Sequence, residues 1–190
     1  MEGQAHMISF DDLWKFISNR GPVITVQEYS ELKHVYDLMN DCKCQSYLEI
    51  GSAEGNSLYV LGHAVEKYID YVDYGETHTT DHRNECVKKL KELGKNVTGY
   101  LGDSTNAKTL PNKQKYDCIL IDGGHDYDTV LSDCMMYAGL ATKYVFFHDV
   151  QLEPVREAIE FYLKRWNIGK YRTFIASESF GYGILEICNE

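Results

Sequence analysis

The sequence lacks any apolar run approaching the ~20 residues needed to span a bilayer, and no basic-then-apolar leader opens the chain. It also lacks an excess of basic charge, since 19 Lys and Arg stand against 29 Asp and Glu, a formal net charge of −10. Affinity for polynucleotides depends on basic residues that neutralise phosphates. We therefore expect a cytoplasmic protein without membrane contact, which acts on a small molecule rather than on nucleic acid.

Two common motifs are missing as well. The six cysteines are scattered, and the closest pair, Cys42 and Cys44, has neither the zinc nor the redox C-x-x-C spacing, so we expect reduced thiols, several of them buried. The G-x-G-x-x-G fingerprint of nicotinamide-binding folds is absent because Ala53 stands where the second glycine would be. This absence argues against a nicotinamide-dependent oxidoreductase.

The 190 residues fit one domain. Residues 1–6 have no hydrophobic period, and the pair His6-Met7 at their end is typical of a cloning-site scar. The sequence therefore predicts a tag or a disordered N-terminus over 1–6 and a single domain over 7–190.

Short apolar runs that stop at Gly, Asp or His alternate with helical patterns. The predicted strands are Ser46–Ile50, Tyr68–Val72, Val97–Leu101, Tyr116–Ile121 and Tyr144–Phe147, and two amphipathic helices precede them. Such alternation predicts a Rossmann-like, doubly wound α/β sheet that is mostly parallel. No helix fits between Arg172–Ala176 and Gly183–Cys188, so these two strands are predicted to form a C-terminal antiparallel hairpin.

Ligands of open α/β sheets bind beyond the carboxyl ends of the strands. The first strand is followed there by a glycine-containing loop, which is either a ligand loop or a plain turn; its candidate residues are Glu49, Gly51, Ser52, Ala53, Gly55, Asn56 and Ser57. Asp73 can accept hydrogen bonds from both hydroxyls of a ribose, or it caps a helix. Asp103 and Ser104 can approach an adenine amino group, or they form an ordinary turn.

A second group of polar residues follows the fourth and fifth strands. Asp122 and Asp149 end neighbouring strands, so their carboxylates are expected to lie close together, which is unfavourable unless one is protonated or a cation lies between them. Two carboxylates with the imidazole of His148 suit Mg²⁺ or Mn²⁺. His125 is the candidate base, because imidazole titrates near neutrality; alternatively it caps the next helix.

Taken in order, these motifs resemble class I S-adenosylmethionine-dependent methyltransferases, and in particular a small branch marked by I-D-G-x-H-x-Y and a later H-D. The segments that carry the resemblance are Leu48–Gly55, Val72-Asp73, Gly102–Ser104, Ile121–Tyr127 and Phe147–Asp149. The resemblance implies that Glu49, Gly51, Ser52 and Gly55 line the methionine part of the cofactor. It further implies that Asp73 binds the ribose, and that Asp103 and Ser104 bind the adenine.

The resemblance also implies a metal and a base. Some similar O-methyltransferases hold Mg²⁺ with residues that correspond to Asp122 and Asp149, and His148 here replaces the first acid of a pair. Others use a histidine that corresponds to His125 as the base. Ala53 departs from the glycine of many members, and on grounds of size alone little loss is expected.

The leading hypothesis is an S-adenosylmethionine-dependent O-methyltransferase that acts on a small hydroxylated molecule, such as a sugar or a polyketide- or catechol-like compound. In this hypothesis Asp122 and His125 are the catalytic residues, and Asp122 also contacts the cofactor. Three alternatives stay open: a hydroxylase-like relative on the same fold, a non-catalytic cofactor-binding module that partners another subunit, and the disfavoured oxidoreductase. The sequence leaves open whether the protein is a monomer or a homodimer.

Overall fold

The computed structural model describes residues 8–19, 28–74, 80–109, 111, 115–176 and 179–188. Residues 1–6, where a tag or disorder is predicted, lie outside this part. In chain order the elements are α1 (Phe10–Ser18), α2 (Tyr29–Asp41), β1 (Ser46–Ile50), α3 (Asn56–His63), β2 (Tyr68–Asp73), α4 (Thr80–Glu92), β3 (Asn96–Leu101), β4 (Tyr116–Ile121), α5 (Tyr127–Tyr137), β5 (Ala141–His148), α6 (Glu153–Arg165), β6 (Gly169–Phe174) and β7 (Tyr182–Ile187).

The strands of the described residues form one mixed sheet in the order β3-β2-β1-β4-β5-β7-β6. The first five strands are parallel, whereas β7 is antiparallel to both β5 and β6. The predicted fold class is thereby confirmed, including the antiparallel pair at the C-terminal side. From β1 the chain first builds outward through β2 and β3 and then resumes on the other side at β4, so the topological switch point lies between β1 and β4.

Both faces of the sheet are buried at its central strands, whereas the edge strands β3 and β6 are largely exposed. In β1, Tyr47 belongs to a core cluster with Leu13, Leu32 and Leu58 from the helices on one face, whereas the next residue, Leu48, belongs to a second cluster on the opposite face. That second cluster includes Val130 of α5 and Ile159 of α6. Successive strand residues point to opposite faces, so burial on both sides explains the continuous apolar runs.

The two N-terminal helices extend the first of these core clusters. The Ser9 hydroxyl caps α1 by accepting a hydrogen bond from the Asp12 backbone N–H at 3.2 Å, and the helix buries Phe10, Leu13 and Ile17. Among the helices of the described residues, none combines the length and the apolar character that a membrane crossing requires.

All six cysteines carry free thiols, and Cys44, Cys86, Cys118 and Cys134 are buried. The sulfur atoms of Cys42 and Cys118 lie 3.9 Å apart, beyond covalent distance. The burial of these four agrees with the expectation that several of the cysteines are buried.

Candidate active site

Two adjoining cavities lie at the carboxyl edge of the sheet, next to the switch point. The Asp73 cavity has a volume of about 520 Å³ and is lined by Asp73, Tyr74, Gly102, Ser104, Gly124 and Thr129, among others. The His125 cavity has a volume of about 200 Å³ and is lined by Ser52, Asn56, Ser57, His125, His148 and Asp149, among others. Both share the wall formed by Gly51, Ala53, Glu54, Asp122 and Gly123.

A third cavity, of about 780 Å³, lies at the opposite edge of the sheet, beside the start of β5 and of β6. Its described lining has no carboxylate and no histidine; the titratable side chains there are Lys115 and Cys188. Polar groups able to bind and transform a ligand therefore converge on the carboxyl edge.

Gly51 brings β1 and β4 together at the shared wall. Its φ of +84° lies in the left-handed region that favours glycine, and a Cβ placed on it would lie 2.1 Å from the backbone oxygen of Asp122. The Asp122 backbone N–H donates to the Ile50 oxygen at 2.8 Å, which fixes this close approach. Gly51 is needed because no side chain fits between the two strand ends.

Glu49 is fully buried in β1 and lines neither cavity. Its carboxyl accepts hydrogen bonds from the Tyr47 hydroxyl at 2.6 Å and from the Ser57 hydroxyl at 2.7 Å. Burial raises the pKa of Glu49 to about 8. In this geometry Glu49 holds the first turn of α3, and Ser57 is the member of the pair that reaches the His125 cavity.

Asp73 is the best-supported side chain of the Asp73 cavity. Its Oδ2 accepts hydrogen bonds from the Ala53 backbone N–H at 2.7 Å and from the Ser52 hydroxyl at 3.3 Å. Its Oδ1 lies 2.5 Å from Nη1 of Arg83, which is itself only 1% exposed. The predicted ribose-binding carboxylate is thus held in place by α4 and by the glycine-containing loop.

Two residues of that loop are shaped by the backbone. Ala53 has a φ of +39°, where a Cβ is disfavoured by about 1–2 kcal/mol. The small size of alanine is therefore not the relevant property at this position, because the constraint is the backbone conformation and not the side-chain volume. Gly55 lines neither cavity; it has a φ of +78° and packs against the Cα of Arg83.

Of the predicted adenine pair, Ser104 lines the Asp73 cavity and Asp103 does not. Asp103 Oδ1 instead accepts hydrogen bonds from the Thr105 backbone N–H and hydroxyl, at 2.9 and 2.7 Å, and these bonds lower its pKa.

Behind the same cavity, burial raises the pKa of Asp133 to about 6, and a Cβ on Gly123 would lie 2.9 Å from Asp133 Oδ2.

The second predicted group comes together in the His125 cavity. His148 Nδ1 lies 3.2 Å from Oδ1 of Asp122 and 3.2 Å from Oδ1 of Asp149. His125 Nε2 lies 2.7 Å from Oδ2 of Asp149 and 4.0 Å from Oδ1 of Asp122. The side chains of His148 and Asp149 are buried, whereas that of His125 is 57% exposed and stands at the mouth of the cavity.

The charges of this group are coupled. Hydrogen bonds to Asp122 and Asp149 raise the pKa of His125 to about 10. Burial opposes the charged form of His148, yet the same two carboxylates raise its pKa to about 10. Burial also opposes the charged form of Asp149, but its two histidine partners hold its pKa well below the usual range. The two carboxylates thus favour the protonated form of both rings.

The chemistry of the donors also suits a divalent cation. One ligand atom from each of Asp122, His148 and Asp149 can be chosen so that all lie within 4.8 Å of one another. Carboxylate oxygens together with one imidazole nitrogen fit Mg²⁺ or Mn²⁺. His125 lies beside this set, 2.7 Å from Asp149, and is not one of its three members.

Comparison with known families decides the class of the fold. A family profile described as a methyltransferase domain matches residues 48–150, which is more than half of the chain. The chain belongs to this methyltransferase family. The matched segment begins in β1 and ends just after Asp149, so it contains the predicted site residues of both cavities.

Solved methyltransferases share the fold of this domain at low sequence identity. The O-methyltransferase TomG from Streptomyces achromogenes, involved in tomaymycin synthesis and solved with SAM, is 12% identical, with a TM-score of 0.71 over 98% of this chain and 91% of that one. The O-methyltransferase from Bacillus cereus, solved with SAH, is 14% identical, with a TM-score of 0.68 over 94% and 90%. A SAH-bound methyltransferase from Podospora anserina is 16% identical, with a TM-score of 0.64 over 95% and 88%. No curated protein matched the sequence.

Arg83 is the site residue of this methyltransferase domain that sequence reasoning missed. The lysines of α4 indicate a solvated helix face, and Lys88 is indeed exposed. However, Arg83, Cys86 and Leu90 are the buried residues of α4, and their spacing of three and four places them on one stripe. A charged residue on an apolar stripe was the available signal, because such residues are rarely buried unless they are paired.

Proposed function

We propose that this protein is an S-adenosylmethionine-dependent O-methyltransferase that acts on a small hydroxylated molecule. One observation carries the proposal: the Asp73 cavity and the His125 cavity adjoin across a single wall that includes Gly51 and Asp122. A cofactor in the first cavity would direct its methyl group towards an acceptor in the second. Membership of the methyltransferase family supports the reaction, and the similar structures solved with SAM or SAH support the cofactor.

The cofactor roles follow from the positions around the Asp73 cavity. Asp73 would accept hydrogen bonds from the ribose hydroxyls, since an ionised carboxylate has more acceptor sites than its protein partners use. Ser104 and Tyr74, which line the same cavity, would border the adenine. The methionine part would extend past the shared wall to Asn56 and Ser57, which line the His125 cavity and begin α3, and the first N–H groups of this helix would attract its carboxylate.

The acceptor roles follow from the His125 cavity. Asp122, His148 and Asp149 would hold Mg²⁺ or Mn²⁺, and a cation bound there would lower the pKa of an acceptor hydroxyl. His125 stands at the mouth of the cavity, where Asp122 and Asp149 favour its protonated form. A cation bound to these carboxylates would offset their charge, and the neutral His125 ring, oriented by Asp149, would then accept the hydroxyl proton. The rest of the catalytic effect would come from alignment of the methyl group with the oxygen.

Calorimetry with S-adenosylmethionine, first with Mg²⁺ and then with a chelator, tests the cofactor. Catechol, simple sugars and polyketide-like phenols are then incubated with the protein, and formation of S-adenosylhomocysteine is measured. We expect cofactor binding in both conditions and turnover of at least one acceptor class with the metal. Absence of cofactor binding in both conditions would overturn the proposal.

His125→Ala tests the base. General base catalysis contributes about 10²- to 10⁴-fold, so we expect a rate loss in that range with nearly unchanged cofactor affinity. The matched control is His82→Ala, which removes a histidine on α4 that lines neither cavity. Equal turnover by the two variants would rule out His125 as the base.

A second candidate function is a non-catalytic cofactor-binding module that works with another subunit. The observation in its favour is the size of the His125 cavity, which at about 200 Å³ encloses only a small acceptor or part of a larger one. Such a module would bind both S-adenosylmethionine and S-adenosylhomocysteine and form no product with any acceptor. The turnover measurement therefore separates the two candidates.

A further inference from the structure

Arg83 is a buried cation that touches the Asp73 cavity only through other residues. Besides its ion pair with Asp73, its guanidinium donates hydrogen bonds to the backbone oxygens of Ala53 at 3.3 Å and Tyr74 at 3.4 Å. Each of these three partners lines the Asp73 cavity, and Arg83 itself does not. One side chain of α4 thus ties together the end of β2 and the loop after β1.

The ion pair fixes which atoms of Asp73 stay available. Arg83 occupies Oδ1 from one side, and the Ala53 N–H and the Ser52 hydroxyl occupy Oδ2 from another. A carboxylate offers about four acceptor positions, two on each oxygen, so Oδ1, which faces only Arg83 among these partners, retains capacity for a further donor. A diol that reaches Asp73 therefore meets a carboxylate whose rotation is already restricted.

Arg83 also compensates the local negative charge. Asp73, Glu49 and Asp122 approach the same sheet edge, and the charges of Asp73 and Asp122 both disfavour ionisation of Glu49. A buried carboxylate without a countercharge is strongly unfavourable. The guanidinium offsets this cost at Asp73 without occupying the cavity.

The packing of α4 holds Arg83 in position. A Cβ on Gly55 would lie 3.0 Å from Arg83 Cα and 3.3 Å from Cys86 Cβ, so the missing side chain of Gly55 allows α4 to approach the loop closely. On its other side the guanidinium carbon lies 5.8 Å from the ring centroid of Tyr71. Loop, helix and ring leave the guanidinium little freedom.

We propose that Arg83 is a positioning residue for the cofactor, which acts through Asp73 to align its carboxylate with the ribose hydroxyls. The inference rests on the proposed function, because it presumes that the Asp73 cavity binds S-adenosylmethionine. It predicts that Arg83 controls recognition of the ribose specifically, and not only the stability of the fold.

A double-mutant cycle tests this role. The affinity for S-adenosylhomocysteine is measured by calorimetry for the wild type, Arg83→Met, Asp73→Asn and the double variant, below the thermal midpoint of each. We expect each single substitution to weaken binding at least about tenfold. The double variant should bind at most about threefold more weakly than the weaker of the two single variants, because both substitutions remove the same interaction. Lys88→Met, which removes an exposed cation of the same helix, serves as the control and should leave binding unchanged.

A second readout separates alignment from general destabilisation. The wild type should prefer S-adenosylhomocysteine to its 2′-deoxyribose analogue, and this preference should collapse in Arg83→Met. If that variant does not fold, Arg83→Lys decides, because it keeps the charge but lacks the planar fork, and a reduced preference is then expected.

The outcomes distinguish the two proposals. A wild type that binds no S-adenosylhomocysteine would contradict the proposed function. If the wild type binds, two results would overturn the positioning role alone. One is that the losses of the two single variants multiply in the double variant; the other is that the Arg83 variants keep the ribose preference of the wild type.

Discussion

The two cavities at the sheet edge balance their charges in different ways. In the Asp73 cavity, the carboxylate is matched by the buried Arg83 and by a backbone N–H, so the chain itself supplies every partner. In the His125 cavity, Asp122 and Asp149 pair with imidazoles, which can lose their protons. The first region is therefore preorganised before any ligand arrives, whereas the charge of the second depends on what binds there.

The substitution with the largest expected effect breaks both regions at once. Gly51→Ala places a Cβ 2.1 Å from the Asp122 backbone oxygen, in a left-handed conformation that alanine disfavours. Overpacking and backbone strain together should lower the free energy of unfolding by about 3 kcal/mol or more. Urea denaturation measures this, and Gly94→Ala, which also has a positive φ but no atom within 4 Å of its Cβ, separates strain from the clash. Equal losses in the two variants would contradict the clash.

Asp149→Asn should affect only the His125 cavity. Asparagine tolerates the φ of +58° found here, so the backbone should persist while an anionic ligand is lost. We expect Mn²⁺ affinity, measured by electron paramagnetic resonance of the free ion, to fall at least about tenfold. Affinity for S-adenosylhomocysteine should change by less than about threefold. Unchanged Mn²⁺ binding would remove Asp149 from the predicted metal ligands.

Glu49→Gln should change the pH dependence of stability. The folded-state pKa of Glu49 is about 8, above the ordinary value of 4.5, so between these values the folded state binds a proton that the unfolded state has lost. Glu49 therefore makes the protein less stable as the pH rises from about 5 to 8, by up to a few kcal/mol. Glutamine removes this contribution. The free energy of unfolding of the variant, relative to that of the wild type, should therefore be more favourable at pH 8 than at pH 5. Parallel urea-denaturation midpoints across this range would refute the buried titration.

The smallest effect is expected at Asp103. Its carboxylate is turned towards Thr105 and lies outside the described lining of the Asp73 cavity. Asp103→Asn should therefore weaken S-adenosylhomocysteine binding by less than about threefold, against at least about tenfold for Asp73→Asn. Similar losses in both variants would support the adenine role that the sequence resemblance implies for Asp103.

Much of this arrangement could be predicted from the sequence. The continuous apolar runs gave β1 and β4 their bounds, and strands whose carboxyl ends share an edge had to bring Asp122, His148 and Asp149 together. These inferences depend on the hydrophobic pattern of the strands and on the alternation of strands with helices, and both can be read from the sequence.

What could not be predicted depends on side-chain direction and on contacts between elements. Asp73 and Arg83 belong to different elements, and their pairing depends on how closely α4 packs against Gly55. Glu49 and Asp103 follow the expected motif, but one carboxyl turns under α3 and the other turns into its own loop. Sequence motifs located these residues along the chain without giving the orientation of their side chains.

The antiparallel position of β7 has a consequence for synthesis of the chain. His148 at the end of β5 pairs in register with Tyr182 at the start of β7, and the two rings lie 4.8 Å apart. During translation the hydrogen-bonding edge of β5 therefore stays open until α6, β6 and β7 have emerged from the ribosome. The side of the sheet that carries His148 is completed late, and a nascent chain that stalls before β7 would present an unpaired strand next to this histidine.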